Sequence, residues 1–126
     1  MDAMDKRKLA RARGVLGEVR AEQVLKERGM CVLERNYRSH GAEIDLIAQD
    51  GAVLAFVEVK TRAARSATLG REAVGPAKQR KICRGALAYM MKNRLMGRQA
   101  RFDVIEIQGD QVTYIENAFP YCGPTF

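Results

Sequence analysis

Apolar residues first recur at helical spacing. Ala12, Val15, Leu16 and Val19 stand at i, i+3, i+4 and i+7, and Ala21, Val24 and Leu25 extend an apolar face. This predicts a first helix over 15–28 with Gly29 as its stop; Gly14 and Gly17 argue for a start later in that stretch. The rhythm then shortens. Cys31–Tyr37 has mixed polarity and reads as an edge strand. Ala42–Ala48 alternates, with Ala42, Ile44, Leu46 and Ala48 on one side and Glu43, Asp45 and Ile47 on the other, only Ile47 breaking the polar side. Val53–Arg62 is rich in β-formers, and Asp50-Gly51 before it is a strong hairpin signal. Ala63–Gly75 reads as a mobile loop. Pro76 suits the first turn of a second helix reaching about Leu95, with Gly97 beyond it. Arg101–Ile107 and Gln111–Glu116 are strands around a Gly109-Asp110 turn, and the tail from Asn117 has no strong pattern.

The order α-β-β-β-α-β-β implies an α/β fold, a mixed sheet with helices packed on it and a right-handed β-α-β crossover. At 126 residues, 47% apolar and 29% charged, the chain suits one globular domain over 1–126. Met1–Arg13 lacks the apolar stretch of a secretory signal, and no run is long enough to span a bilayer. Three dispersed cysteines, Cys31, Cys83 and Cys122, fit neither a disulfide framework nor a zinc site. The expectation is a cytoplasmic protein without a membrane partner.

Charge distribution changes the picture. Residues 60–101 hold twelve Lys and Arg and one acid, Glu72, a net +11 against +7 for the whole chain. Such a block attracts polyanions, nucleic acid above all.

The hairpin supplies candidate chemistry. A two-residue turn at Asp50-Gly51 sets Asp45 opposite Phe56 and Glu43 opposite Glu58, with Glu43, Asp45, Phe56, Glu58 and Lys60 on one face. Asp45 and Glu58 become diagonal neighbours, roughly 7–8 Å apart at the backbone. Like charges so placed need neutralising; Lys60 offers one positive charge and a divalent ion two. Oxygen donors select Mg²⁺ or Mn²⁺, which can polarise a phosphodiester and activate water. Lys60 would serve that water or the developing charge. Glu18 shares the helical stripe of Ala21, Glu22 and Leu25 that meets the sheet, so its carboxylate can join the set. His40 is the lone histidine, a loop residue without a placed catalytic partner.

Several motifs carry a family resemblance: Gly17-Glu18, Arg35-Asn36-Tyr37-Arg38, Gly41-Ala42-Glu43-Ile44-Asp45-Leu46-Ile47, Phe56-Val57-Glu58-Val59-Lys60-Thr61-Arg62, Lys78-Gln79-Arg80, Arg101-Phe102-Asp103-Val104 and Asn117-Ala118-Phe119. Over roughly residues 14–119 the chain resembles the YraN-type family of bacterial proteins. That family resembles the restriction-endonuclease-like, or PD-(D/E)xK, superfamily, close to archaeal Holliday-junction resolvases. The resemblance implies a mixed sheet of about five strands flanked by helices. It matches Asp45, Glu58 and Lys60 to the superfamily's Asp, Glu and Lys, Glu18 to the first-helix Glu of resolvase-like members, and Gln79 to a supporting polar residue. Ile44 stands where the superfamily pattern has Pro.

The first expectation is therefore an Mg²⁺-dependent endonuclease or resolvase acting on DNA, RNA remaining open as substrate. Asp45 and Glu58 hold the metal with the Val59 carbonyl and Glu18. Arg38, Arg62, Arg65, Arg71, Lys78, Arg80, Lys81 and Arg84 hold backbone phosphates, and a two-fold homodimer suits resolvase chemistry. The alternatives are a nucleic-acid-binding module of the same fold without turnover, and a protein-interaction adaptor.

Overall fold

The protein is described here by a computed structural model covering residues 2–62 and 74–124. Helix α1 (Ala3–Glu27) leads into strands β1 (Cys31–Ser39), β2 (Ala42–Asp50) and β3 (Val53–Arg62). Helix α2 (Pro76–Lys92) follows, then β4 (Ala100–Gln108) and β5 (Gln111–Phe119). The five strands form one sheet in the order β1-β2-β3-β4-β5, with β1 at an edge. Among the described residues only β3 and β4 pair in parallel, and α2 lies between them in the chain. This mixed sheet with helices is consistent with a restriction-endonuclease-like fold.

Two cores explain the layers. Ile47, Leu54, Phe56, Phe102, Val104 and Phe119 pack with Ile82, Cys83, Ala86 and Tyr89 of α2. Leu46, Ala48, Ala55, Val57, Ile105 and Ile107 pack with Ala21 and Leu25 of α1. Each helix therefore covers one face. Alternate residues of β3 and β4 feed opposite cores, as the two-residue period of a strand requires.

The first helix departs from the expected one at both its start and its face. Asp2 caps it by accepting the Asp5 N–H at 2.9 Å, so it begins at Ala3, well before 15. Its sheet-facing residues are Gly17, Ala21 and Leu25, while Val15, Leu16 and Val19 are each more than half exposed. Two apolar stripes lie on this helix, and the spacing of the first cannot tell which one meets the sheet.

The last strand also runs further than its pattern. Asp103, fully buried, accepts the Asn117 N–H at 2.8 Å and hydrogen bonds from Arg101 and Tyr114. Register shifts between Phe102 and Val104, and Asn117 takes a left-handed φ of 54°. That irregularity carries the chain on to Phe119, whose ring stacks on Phe102 at 5.1 Å. Helix α2 ends at Lys92 instead of near Leu95. Most of the expected 63–75 loop lies outside the described residues. Among the described residues no helix is long and apolar enough to cross a membrane.

Candidate active site

Hairpin register decides what can meet at the centre. The observed turn is Gly51-Ala52, with Asp50 paired to Val53, Ile47 to Phe56 and Leu46 to Val57. Gly51 takes φ 59°, while Asp50 stays in the strand and binds Arg101 Nη2 at 2.8 Å. Asp45 therefore does not lie opposite Phe56, nor Glu43 opposite Glu58. The pairs from Leu46 to Asp50 have all moved by two residues, which preserves which of those side chains share a face. Glu43, expected on the face of Phe56 and Glu58, lies beyond that ladder. Asp45 and Glu58 are the next positions beyond the last pair, across from one another rather than diagonal.

The ladder opens at that point. Asp45 Oδ2 accepts the Val59 N–H at 2.8 Å, so a side chain takes the place of a backbone partner. On the other flank, the β1–β2 register passes over Asn36 and Asp45, and Asn36 has a left-handed φ of 49°. Asn accepts that conformation more readily than most side chains. The break also turns β2 over. Ala42 and Ile44 lie against Gly85 of α2, whereas Leu46 and Ala48 pack towards α1. The expected single apolar side, Ala42-Ile44-Leu46-Ala48, is thus divided at Asp45, and Ile47 belongs to a core.

The split brings both helices to the carboxylates. One depression is lined by Arg13, Gly14 and Glu18 of α1, Asp45 of β2, Glu58, Val59, Lys60 and Thr61 of β3, and Lys78 of α2. A second, lined by Gly41, Glu43, Ala77, Lys81 and Ile82, shares Asp45, Glu58 and Lys78 with it. Helix α1 reaches this point because Gly17 has no side chain: a Cβ there would fall 2.2 Å from Thr61 Oγ1. Glu18 is the next residue along.

Charge is crowded here. Burial, then the Glu58 charge, pushes the Asp45 carboxyl up to about 7, against the pull of the Val59 N–H and Lys78. Burial and the Asp45 and Glu43 charges also raise Glu18, opposed by a hydrogen bond from Asn36. Glu58 is only 5% exposed. Lys78 Nζ contacts its Oε1, and Lys60 Nζ lies 3.7 Å from the same oxygen. Burial and the neighbouring Lys78 lower Lys60. For Lys78, burial acts downward but is outweighed by its bonds to Glu58 and Lys60, so that lysine keeps its proton more firmly.

Among the described residues no group of three or more His, Cys, Asp or Glu side chains is arranged to hold a metal. The donors at the split are two carboxylates with the Val59 backbone beside them. That set fits Mg²⁺ or Mn²⁺, which use one or two carboxylates and keep water, better than zinc with its nitrogen and sulfur preference.

The remaining expected residues are dispersed. Gln79 Nε2 donates to the Val74 carbonyl at 2.8 Å and lines neither depression. Arg38 is exposed and 3.7 Å from Glu43. Arg62 pairs with Glu106 at 3.2 Å and lines a separate hollow with Arg13 and Arg20. Arg80, Lys81 and Arg84 are exposed on α2. Arg65 and Arg71 lie outside the described residues. Lys78, expected on a phosphate-facing surface, instead sits at Glu58. Arg13 and Asn36 were not singled out as site residues; the only signal for Asn36 was the tolerance of Asn for left-handed backbone.

A family model described as "Uncharacterised protein family UPF0102" matches residues 17–107. A UPF0102 protein of Desulfosudis oleivorans is 46% identical over 108 residues, covering 84% of this chain and 88% of its own. Another, from Trichlorobacter lovleyi, is 46% identical over 112 residues, with 84% and 88% covered. A third, from Persephonella marina, is 37% identical over 107 residues, with 85% and 92% covered.

Proposed function

The chain belongs to uncharacterised protein family UPF0102, a membership that specifies no reaction, and from its site we propose that it is a metal-dependent endonuclease acting on DNA, with branched, Holliday-junction-like DNA as the substrate to test first. One observation carries this reading: Asp45 and Glu58 line the same depression at the split end of a strand pair, with Glu18, Lys60 and Lys78 around them.

Asp45 and Glu58 would hold Mg²⁺ or Mn²⁺, with the Val59 carbonyl as a further oxygen and Glu18 reaching the ion through a bound water. When bound, the ion would neutralise phosphate charge and make an attacking water more acidic. Lys60 and Lys78 keep the buried Glu58 compensated before a cation arrives. Lys60, whose proton is the more loosely held of the two, would orient a water or meet charge on the phosphate. Arg13 on α1 and Lys81 on α2 rim the two depressions and suit backbone phosphates on either side. The remaining exposed bases of α2 extend that surface, and a two-fold homodimer would present two such sites.

The test is incubation with linear, nicked and four-way DNA in Mg²⁺ or Mn²⁺, beside Asp45→Asn and Lys60→Ala. Cleavage by the native chain, lost by at least 100-fold in Asp45→Asn, is expected. Cleavage that persists in both variants would place the activity elsewhere.

A second reading is a nucleic-acid-binding module without turnover, favoured by the contact of Lys78 with Glu58, which puts the protein's own cation at a metal ligand. It predicts strongly salt-dependent binding and no cleavage.

A further inference from the structure

Two of the three cysteines, distant in sequence, meet in space. Cys83 is fully buried in α2, and Cys122 is exposed on the tail beyond β5. Their sulfurs are 3.5 Å apart, and the Cys122 N–H points to Cys83 Sγ at 3.3 Å. The tail is shaped to reach this position. Tyr121 stacks over Phe102 at 6.5 Å, and its hydroxyl donates to the Pro124 carbonyl. Gly123 passes where a Cβ would fall 2.9 Å from Cys83 Cβ. The pair is therefore a docked thiol couple, one member reachable from solvent and the other shielded.

We propose that Cys83 and Cys122 are a redox modification site that closes into a reversible disulfide when the protein meets hydrogen peroxide. This inference is independent of the nuclease reading. The exposed Cys122 sulfur attacks one peroxide oxygen and breaks the O–O bond, becoming a sulfenic acid and releasing water. Cys83 sulfur then attacks Cys122 sulfur, the S–S bond forms and the S–OH bond breaks. The departing hydroxide takes the Cys83 thiol proton as a second water. Two thiols lose two electrons, and peroxide accepts both.

The order follows from surroundings. Burial pushes the Cys83 thiol up to about 12, keeping it protonated and inert to solvent oxidants, so Cys122 reacts first. Closure to a bond of about 2.05 Å requires about 1.5 Å of movement, which rotation of an exposed tail side chain can supply. The bond would fix a tail whose Pro120 and Tyr121 line an apolar cavity of about 350 Å³ together with Phe56, Leu87, Met90 and Phe102.

The experiment uses the full chain carrying Cys31→Ser, because Cys31 is exposed and would join chains together. After peroxide, the denatured protein is alkylated and weighed, its peptides are mapped, and thermal unfolding is followed with and without dithiothreitol. The expected result is loss of two hydrogens, one cross-link between the peptides of Cys83 and Cys122, and a thermal midpoint several degrees higher that dithiothreitol reverses. A Cys122→Ser variant should show no mass change or midpoint shift. Full alkylation of both thiols after peroxide would overturn the proposal. So would over-oxidised Cys122 beside an alkylatable Cys83, or cross-links only between chains.

Discussion

Lys78 Nζ contacts Glu58 Oε1 more closely than does Lys60 Nζ, 3.7 Å away, although Lys60 is the near neighbour in sequence. The strand-borne lysine shares its carboxylate with a lysine delivered from the first turn of α2. Replacing Lys78 with Met should leave the buried Glu58 undercompensated and lower stability by about 1–2 kcal/mol, less than for a fully buried pair because Lys78 is 43% exposed. Millimolar Mn²⁺ should recover the loss in thermal melts. A melting temperature that does not respond to metal would argue against a cation at Glu58.

Removing charge at Asp45 should stabilise the protein while abolishing the proposed cleavage. The folded-state pKa of Asp45 is raised from 3.8 to about 7, so the folded protein binds the extra proton between those values. Stability contributed by this group therefore falls as pH rises from about 4 to about 7. Asp45→Asn should remove that slope and raise metal-free stability at pH 8 by on the order of 1–2 kcal/mol. Urea titrations at pH 5 and pH 8 separate the outcomes: an equal effect at both would mean that charge is not the cause.

Helix α1 is held to β3 by the absence of one methyl group. Gly17→Ala would set a Cβ 2.2 Å from Thr61 Oγ1 and should cost about 1–3 kcal/mol. Thr61→Ala removes the obstructing oxygen, so the double variant should regain most of that stability in a double-mutant cycle. Additive losses would show that the contact is not what makes Gly17 necessary.

Asn36 has two duties, a left-handed backbone and a hydrogen bond to Glu18. Asn36→Gly keeps the first and loses the second; Asn36→Ala loses both. Stability should fall by about 1–2 kcal/mol more in Ala than in Gly. Cleavage, if it depends on Glu18, should fall in both. Equal stabilities would remove the backbone argument.

Much of the fold was legible. Gly29, Asp50-Gly51, Pro76 and Gly109-Asp110 punctuate the chain, and the periodicities between them identify both helices and all five strands in order. The meeting of Asp45 with Glu58 was legible too, since a shift by two residues keeps them on neighbouring strands at one depression, whereas the expected pairing of Glu43 with Glu58 was lost. The turn position was harder: Asp50 favours turns, yet its ion pair with Arg101, 51 residues away, keeps it in the strand. Val15, Leu16 and Val19 misled because a helical repeat reports amphipathicity without naming the partner.

The chain alone determines which residues can be helix, strand or turn, and that acids alternate onto neighbouring strands, because backbone geometry and side-chain periodicity are local properties. Tertiary structure decided where the ladder opens, which lysine touches Glu58, which stripe of α1 is buried and that Cys83 meets Cys122. Each of those depends on contacts between segments far apart in sequence, where close packing and the desolvation of charge select one arrangement among several that local pattern permits equally.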